Sequence, residues 1–362
     1  MGRLQRIFRW SNVILIFLTL FSYLSPYIHP GGFWPFSVMG LFYPVLLVLL
    51  LLSACIWLIQ QKYYALLTLG CILLGWGHFT SFIGLHLGKD HSPGGENEIK
   101  VMSYNVFQFR TLAEDGKAHR WPEEDLLSFY QKYQPDIWCI QEFPSIPKRS
   151  DHIAKLLTTQ TPLKYTFRES GKGVALFSRY PLKGIRIHYF NKRNSANGYL
   201  IADVEIKDQT YRVFGIHLQS NTVSQIADDV AANGHFQEKE TWVQIKGMIG
   251  RYRRTAAMRS DQALEIKKLL DESPYPIILC GDFNDVPLSH AYHILSKDLI
   301  DGFQKKGKGI GTTFRGSLPA LRIDYILSSP ALEPLSYRVL PTDRSDHYPV
   351  LSILRPVNVN DP

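Results

Sequence analysis

Ile277-Ile-Leu-Cys-Gly-Asp-Phe-Asn284 is a short apolar run that stops at a glycine and then offers a carboxylate and an amide. Four apolar residues bounded by a turn residue read as a buried strand, so Asp282 and Asn284 are expected where that strand leaves its sheet. The pattern recurs along the chain. Val101-Met-Ser-Tyr-Asn105, Ile137-Trp-Cys-Ile-Gln-Glu142 and Val213-Phe-Gly-Ile-His217 each end on a polar residue. Arg322-Ile-Asp-Tyr-Ile-Leu327 carries Asp324, and Arg344-Ser-Asp-His-Tyr-Pro-Val350 carries Asp346 and His347. Singly, each has a bland reading: a turn asparagine, a capping acid or a hydrogen-bonded core histidine. Together they deliver carboxylates, amides and imidazoles to strand ends.

Working outward, strand-like segments at Ile99–Asn105, Ile137–Gln141, Gly173–Ser178, Leu200–Ile206, Arg212–Leu218, Ile277–Gly281, Ile323–Leu327 and Val350–Leu354 alternate with helical patterns. Those helices are expected at Glu123–Gln134, Ile153–Leu157, His235–Asp271 and His290–Leu295. The alternation predicts an α/β domain. Between His217 and Arg259 runs a long polar stretch containing Arg251-Tyr-Arg-Arg254, to which no role is assigned. Cys139 and Cys280 fall in strand-like runs and behave as small buried hydrophobes, cross-linked only if those strands are neighbours.

Oxygen donors of this kind suit a hard divalent cation, Mg²⁺ or Mn²⁺, and not a thiolate-rich zinc site. An Asp–His pair supplies an oriented imidazole for proton transfer.

In this order the motifs resemble the endonuclease/exonuclease/phosphatase superfamily, the DNase I-like fold shared with exonuclease III, neutral sphingomyelinases and inositol polyphosphate 5-phosphatases. The resemblance rests on Ser103-Tyr-Asn105, Gln141-Glu142, His217-Leu218, Gly281-Asp-Phe-Asn284, Arg322-Ile-Asp-Tyr325 and Ser345-Asp-His347. It implies a four-layer α/β/β/α sandwich over residues 99–356; composition makes residues 1–88 a membrane region and 89–98 a linker, and leaves 357–362 as a tail. The resemblance also implies roles. Glu142 is the principal metal ligand, with Asn105 and Asp346 completing the site. Asp282 and Asn284 orient the attacking water and contact the scissile phosphate. His347, fixed by Asp324, polarises that phosphate or takes a proton. His217 matches a second histidine near the phosphate, for which Glu169 is the nearest candidate partner. Arg259 and Gln262, taken to open a helix, and Thr313 and Arg315 in Gly311-Thr-Thr-Phe-Arg315 are candidate substrate contacts. The Asn-x-Tyr-x-Pro segment of apurinic-site nucleases is absent from the sequence, which argues against abasic-site repair.

The first part of the chain has a different character. No Asp, Glu, Lys or Arg occurs from Trp10 to Gln61, nor from Tyr63 to Gly88. Roughly 20 apolar residues span a bilayer, so three crossings are expected, at Val13–Ile28, Phe33–Ile59 and Tyr64–Leu87. A cleavable signal peptide competes for the first but leaves the other two unexplained. Arg3, Arg6, Arg9 and Lys62 fall on one side of such a bundle, which by the positive-inside rule is cytoplasmic and puts the domain after Lys89 outside.

The expected activity is therefore a membrane-anchored, metal-dependent phosphodiesterase, with nucleic acid outside the cytoplasm as leading substrate. A phospholipid or other small phosphoester is the alternative, and a catalytically silent binding domain the third reading. The net charge of +8 suits a polyanion but decides little on a chain this long. No protein partner is expected.

Overall fold

The computed structural model describes residues 3–60, 62–89, 91, 94–95, 97–112, 118–169, 173–191, 196–220, 239–316 and 321–357. The expected tail 357–362 and linker 89–98 are therefore described only in part, and residues 221–238 of the unassigned polar stretch lie outside the described residues.

The apolar region forms α1 (Arg3–Ser22), α2 (Pro35–Leu41), α3 (Tyr43–Gln60), α4 (Lys62–Leu74) and α5 (Trp76–Phe82), and ends in a strand, β1 (Ile83–Leu85). Gln5–Tyr27 and Tyr43–Gln60 are long and apolar enough to cross a membrane. The third expected crossing is a bent pair of helices. Tyr63–Leu74 and Trp76–Phe82 meet at 74° and count as one crossing only if the bent pair is a single span. The bend falls at Gly75, where an added Cβ would lie 2.2 Å from the Tyr23 ring, and Ile83–Leu85 leaves the helix to pair with residues 308–310. Inside the bundle, Asn12 Oδ1 accepts from Ser53 Oγ at 2.7 Å and Thr68 Oγ1 at 3.0 Å. These residues come one each from α1, α3 and α4, so the Asn12 carbonyl oxygen ties the three apolar helices together.

The rest of the chain supplies β2 (Ile99–Asn105), β3 (Arg110–Leu112), β4 (Ala118–Arg120), α6 (Glu123–Tyr133), β5 (Ile137–Gln141), α7 (Pro147–Gln160), β6 (Tyr165–Arg168), β7 (Ala175–Ser178), β8 (Leu182–Tyr189), β9 (Gly198–Ile206) and β10 (Gln209–His217). It continues with α8 (Lys239–Asp271), β11 (Ile277–Asp282), α9 (His290–Ser296), β12 (Ile300–Asp301), α10 (Gly302–Lys306), β13 (Lys308–Ile310), β14 (Asp324–Ser328), β15 (Leu332–Val339) and β16 (Val350–Pro356). Two six-stranded mixed sheets result, with strand orders β15-β16-β2-β5-β7-β6 and β12-β14-β11-β10-β9-β8.

Period-two alternation builds the layers. In β2, Ile99 and Val101 face the opposite sheet, in a core shared with Cys139, Leu176, Val213, Cys280 and Ile326. Met102 and Tyr104 face away, onto Leu126 and Tyr130 of α6 and Ile153 and Leu157 of α7. The outer face of the second sheet, through Ile201, Phe214 and Leu279, takes Ala263, Ile266 and Leu270 of α8 and Leu295 of α9. The fold is the expected four-layer α/β/β/α sandwich. Strands buried on both faces read as continuous apolar runs, which is why these were legible. Cys139 and Cys280 are free thiols with their sulfurs 2.7 Å apart, facing across the two sheets and not on neighbouring strands.

The helical bundle docks on the sandwich. Tyr23, Tyr43, Leu47, Leu50 and Phe82 share a buried cluster with Val286, Leu288, Leu321 and Ile323. These last four residues flank Asn284 and Asp324.

Candidate functional site

Five of the expected residues meet on one rim because of strand register. His217 is opposite Asp282 in the parallel β10–β11 pair, and Asp282 is opposite Asp324 in β11–β14. Asn105 is opposite Gln141 in the parallel β2–β5 pair of the facing sheet, which brings Glu142 to the same edge. Local backbone then aims the side chains. Gly281 has φ 153°, and a Cβ there would sit 2.0 Å from the Ile216 carbonyl oxygen, so only glycine lets β11 reach its neighbour at the rim. Glu142 and Asn284 both adopt the left-handed region, at φ 52° each. That conformation is uncommon for residues other than glycine and gathers at functional sites.

The Asp282 carboxylate is the hub. Its Oδ1 accepts from the Asn284 backbone N–H at 2.8 Å and its Oδ2 from Asn105 Nδ2 at 3.1 Å. The same Oδ2 lies 3.5 Å from His217 Nε2 and 3.7 Å from His347 Nε2. His217 Nδ1 lies 3.0 Å from the Ala196 carbonyl, which can only accept, so Nδ1 carries the proton and Nε2 faces the hub. That carbonyl orients the ring in place of the expected Glu169, which is exposed. Ser220 Oγ lies 3.3 Å from the same Nε2.

His347 Nδ1 donates to Asp324 Oδ2 at 2.9 Å. Burial works against a charge on this imidazole, yet Asp324 and then Asp282 outweigh it and hold the ring well above the usual histidine range. Burial pushes the Asp324 carboxyl up to about 6, with His347 pulling it down and Asp282 raising it. The pair thus keeps its shared proton on His347.

Of the expected metal set, Glu142 is partly exposed and its Oε1 accepts from Asn105 Nδ2 at 3.3 Å. Ser345 Oγ donates to the Asn105 carbonyl at 2.8 Å, lies 3.2 Å from Asp346 Oδ1 and accepts from His347 N at 3.2 Å. A different set, Asp282, Asp324 and His347, brings one ligand atom each within 4.8 Å of one another. Within this set the Nδ1 proton of His347 already joins it to Asp324, so the imidazole could meet a cation only through Nε2, the nitrogen that faces Asp282. Glu142 Oε1 and Asp282 Oδ2 converge on Asn105 Nδ2, which donates to both, and a cation held between the two carboxylates would take the place of that amide nitrogen. That donor set suits a hard cation.

The candidate substrate contacts differ from expectation. Arg259 does not open a helix; it lies well inside α8, is fully buried, pairs with Asp285 at 2.9 Å and donates to the Gln219 carbonyl at 3.3 Å. Gln262 Oε1 accepts from Gln219 N at 2.9 Å. Both therefore clamp the segment after His217. Thr313 is fully buried, and its Oγ1 accepts from the backbone N–H groups of Ile323 at 2.9 Å and Asp324 at 3.1 Å. Only Arg315 is exposed, its backbone N–H bonded to the Asp346 carbonyl at 2.8 Å. Sequence reading missed Asp285, adjacent to the quoted motif, and the second buried arginine, Arg322, which pairs with Asp301 at 2.8 Å and donates to the Ser81 carbonyl at 3.0 Å.

Thr313→Val removes the acceptor for two buried N–H groups. It is expected to destabilise the fold by roughly 1–3 kcal/mol per orphaned group and to lower kcat with it. A thermal melt beside steady-state kinetics checks both.

The sequence profile of the Endonuclease/Exonuclease/phosphatase family matches residues 102–347, a span that holds the whole rim. Residues 5–82 match a domain of unknown function. Among solved structures, the endonuclease/exonuclease/phosphatase from Beutenbergia cavernae DSM 12333 is 19% identical, covering 72% of each chain with a TM-score of 0.50. Humanized D. rerio TDP2 carrying 14 mutations is 18% identical over 71% of this chain and 99% of its own, with a TM-score of 0.51. The Bacteroides vulgatus endonuclease/exonuclease/phosphatase is 16% identical over 72% and 100%, with a TM-score of 0.50. At such identities the likeness is one of fold. No curated protein sequence matches the chain.

Proposed function

The chain belongs to the Endonuclease/Exonuclease/phosphatase family and is a hydrolase of phosphoester bonds; from that premise we propose that it is a divalent-metal-dependent phosphodiesterase that attacks with water. One observation carries the reading: the buried Asp282 carboxylate faces both His217 Nε2, at 3.5 Å, and His347 Nε2, at 3.7 Å.

In this reading Asp282 holds the attacking water and accepts its proton. The Asn284 N–H and the Asn105 amide keep the carboxylate oriented. His347, protonated and fixed by Asp324, donates from Nε2 to a phosphoryl oxygen as charge builds on it. His217, with Nε2 protonated as well as Nδ1, donates to a second oxygen of the phosphate. Enzymes of this family generally require a divalent metal; Glu142 and Asn105, with Asp346 behind them, would hold Mg²⁺ or Mn²⁺, which neutralises developing phosphoryl charge. Arg259, Gln262 and Thr313 position the rim, and Arg315 is left as the candidate substrate contact.

His347 sets the pH dependence. Its pKa is raised on folding, so protonation stabilises the folded chain fully below the free histidine value, and that contribution is lost as pH climbs through the folded value. The alkaline limb of the kcat profile is expected above the ordinary histidine range and is absent from the weak residual profile of His347→Gln. A limb unchanged in that variant assigns it to another group.

The test of function uses the full chain in detergent, with single- and double-stranded DNA, RNA, phospholipid vesicles and a chromogenic phosphodiester. Turnover with Mg²⁺ or Mn²⁺ that a chelator abolishes is expected. No turnover on any of them sinks the proposal and favours a silent binding domain.

The sequence favours nucleic acid as substrate. A specific observation supports a second reading: Val286, Leu288, Leu321 and Ile323, which flank the site, are buried against the apolar helices. If α1 and α3 cross a bilayer, the rim stands close to its surface, where a lipid phosphodiester is at hand. With three crossings and Arg3, Arg6, Arg9 and Lys62 on the cytoplasmic side, that surface would lie outside the cytoplasm. A reporter fused after Pro362 that works only in the cytoplasm would overturn this side.

A further inference from the structure

Arg251-Tyr-Arg-Arg254, unassigned in the sequence, lies in the first half of α8. From Lys239 to Ala257 this half carries five Lys or Arg and a single acidic residue, Glu240. Lys246, Arg251, Arg253 and Arg254 are exposed. Beside them stand Trp242 and Val243, 51% and 61% exposed, the only adjacent pair of large exposed apolar residues beyond residue 88 among the described residues. Basic residues flanked by an exposed tryptophan on one helix are the composition of a segment lying at a membrane surface.

The position of the helix identifies the surface. Its opposite face packs Met248, Ile249, Tyr252 and Ala256 onto Trp34, Val38, Met39 and Leu41, in and beside α2. Tyr252 Oη donates to the Ser37 carbonyl at 3.3 Å, and Asp261 Oδ1 lies 3.2 Å from His29 Nε2 in the turn after α1. α2 and that turn link the two helices long enough to cross a membrane, α1 and α3. They belong to the end of the bundle that docks on the sandwich, where Tyr23 and Tyr43 meet Val286 and Leu288. The other end holds Arg9 over the Tyr64 ring. A bilayer around α1 and α3 therefore presents its headgroup layer beside α2, and α8 leaves that level with its charges outward.

We propose that the first half of α8 is an interfacial helix, which binds the anionic headgroup layer of the bilayer crossed by α1 and α3 through Lys246, Arg251, Arg253 and Arg254, with Trp242 and Val243 entering the interface. The inference rests on the membrane reading given above. Attraction to anionic lipid adds with each basic residue near the surface and is screened by salt. Such a contact fixes the tilt of the sandwich, and so of the catalytic rim, over the membrane.

Gly247 is an open position, with no atom within 4 Å of an added Cβ. The full chain carrying Cys55→Ser and Gly247→Cys leaves Cys71, Cys139 and Cys280 buried, and is labelled with an environment-sensitive dye. It is placed in nanodiscs of phosphatidylcholine, with or without phosphatidylglycerol, containing a lipid with a nitroxide on its headgroup. Quenching is expected to be several-fold stronger with phosphatidylglycerol and to fall with salt. Adding Lys246→Gln, Arg253→Gln and Arg254→Gln should reduce it to the phosphatidylcholine level without changing turnover of a soluble phosphodiester. A chain that inserts but shows no quenching in either lipid overturns the inference alone. A dye protected by an oligonucleotide and not by anionic lipid overturns it in favour of a nucleic-acid contact. A chain that needs neither detergent nor bilayer to stay in solution removes the membrane reading and the inference together.

Discussion

Asp282→Asn is expected to lower kcat by roughly 10³-fold or more, the scale on which a positioned acid–base or charge-stabilising group acts, while the stability of the protein changes little. The activity loss follows from what the carboxylate touches. An amide cannot take a proton from water, and its NH₂ group would point either at Asn105 Nδ2, which donates to Oδ2 at 3.1 Å, or at the Asn284 N–H, which donates to Oδ1 at 2.8 Å. One of the two contacts becomes donor against donor. The stability side follows from burial. Asp282 and Asp324 are both fully buried, and the charge on the first pushes the pKa of the second upward. Neutralising Asp282 relieves that repulsion, while the donor–donor contact and the lost support for the His347 charge work against it, so the net change in stability is expected to be small. Steady-state kinetics and a thermal melt on the same preparation read both quantities. Activity within tenfold of the parent would remove Asp282 from the reaction.

The same contrast explains what could be read in the sequence. β2 and β5 carry apolar residues on both faces, and their expected bounds match the observed ones at Ile99–Asn105 and Ile137–Gln141. The residues at their ends were legible for that reason. β8 reads Leu-Lys-Gly-Ile-Arg-Ile-His-Tyr and sits at a sheet edge with its charges outward, so no apolar run announces it. β15, the edge of the other sheet, contains Pro334 beside an irregularity in register, a place where a strand tolerates proline. What sequence cannot display is partnership across the fold. Arg259 in an Arg-x-x-Gln spacing resembles a phosphate contact until Asp285 is seen 2.9 Å away inside the core. Hydropathy gives the length of an apolar stretch but not a bend, and the third one bends at Gly75, where the Tyr23 ring fills the space a side chain would take. Nor does it tell whether apolar helices only tether a domain or share its core.

That last distinction carries the second large prediction. A chain cut to residues 98–362 is expected to aggregate or to fold without activity, although the family match, residues 102–347, lies wholly within it. The cut would expose Val286, Leu288, Leu321 and Ile323, each under 10% exposed in the whole chain. Burying such a side chain is worth about 1.5–3 kcal/mol, so four together rival the roughly 5–15 kcal/mol that holds a whole domain. The losses fall at the site. Val286 and Leu288 follow Asn284 in the chain, and Ile323 precedes Asp324. The polar anchors go too. Arg322, two residues before Asp324, donates to the Ser81 carbonyl at 3.0 Å and stacks within 4.8 Å of the Phe303 and Tyr325 rings. Tyr252 bridges the Ser37 carbonyl at 3.3 Å and Asp285 Oδ1 at 3.2 Å. A point variant separates these effects from loss of the membrane. Tyr252→Phe in the full chain keeps every apolar contact and removes only the hydroxyl that faces both the Ser37 carbonyl and Asp285. It should lower kcat several-fold with little change in KM or melting temperature, because Asp285 positions the loop that carries Asn284 and contributes nothing to uniform substrate binding. A soluble, monodisperse 98–362 fragment with the kcat of the full chain would show that the helices only tether the domain. If kcat fell in the fragment but not in Tyr252→Phe, the apolar contacts alone would carry the coupling.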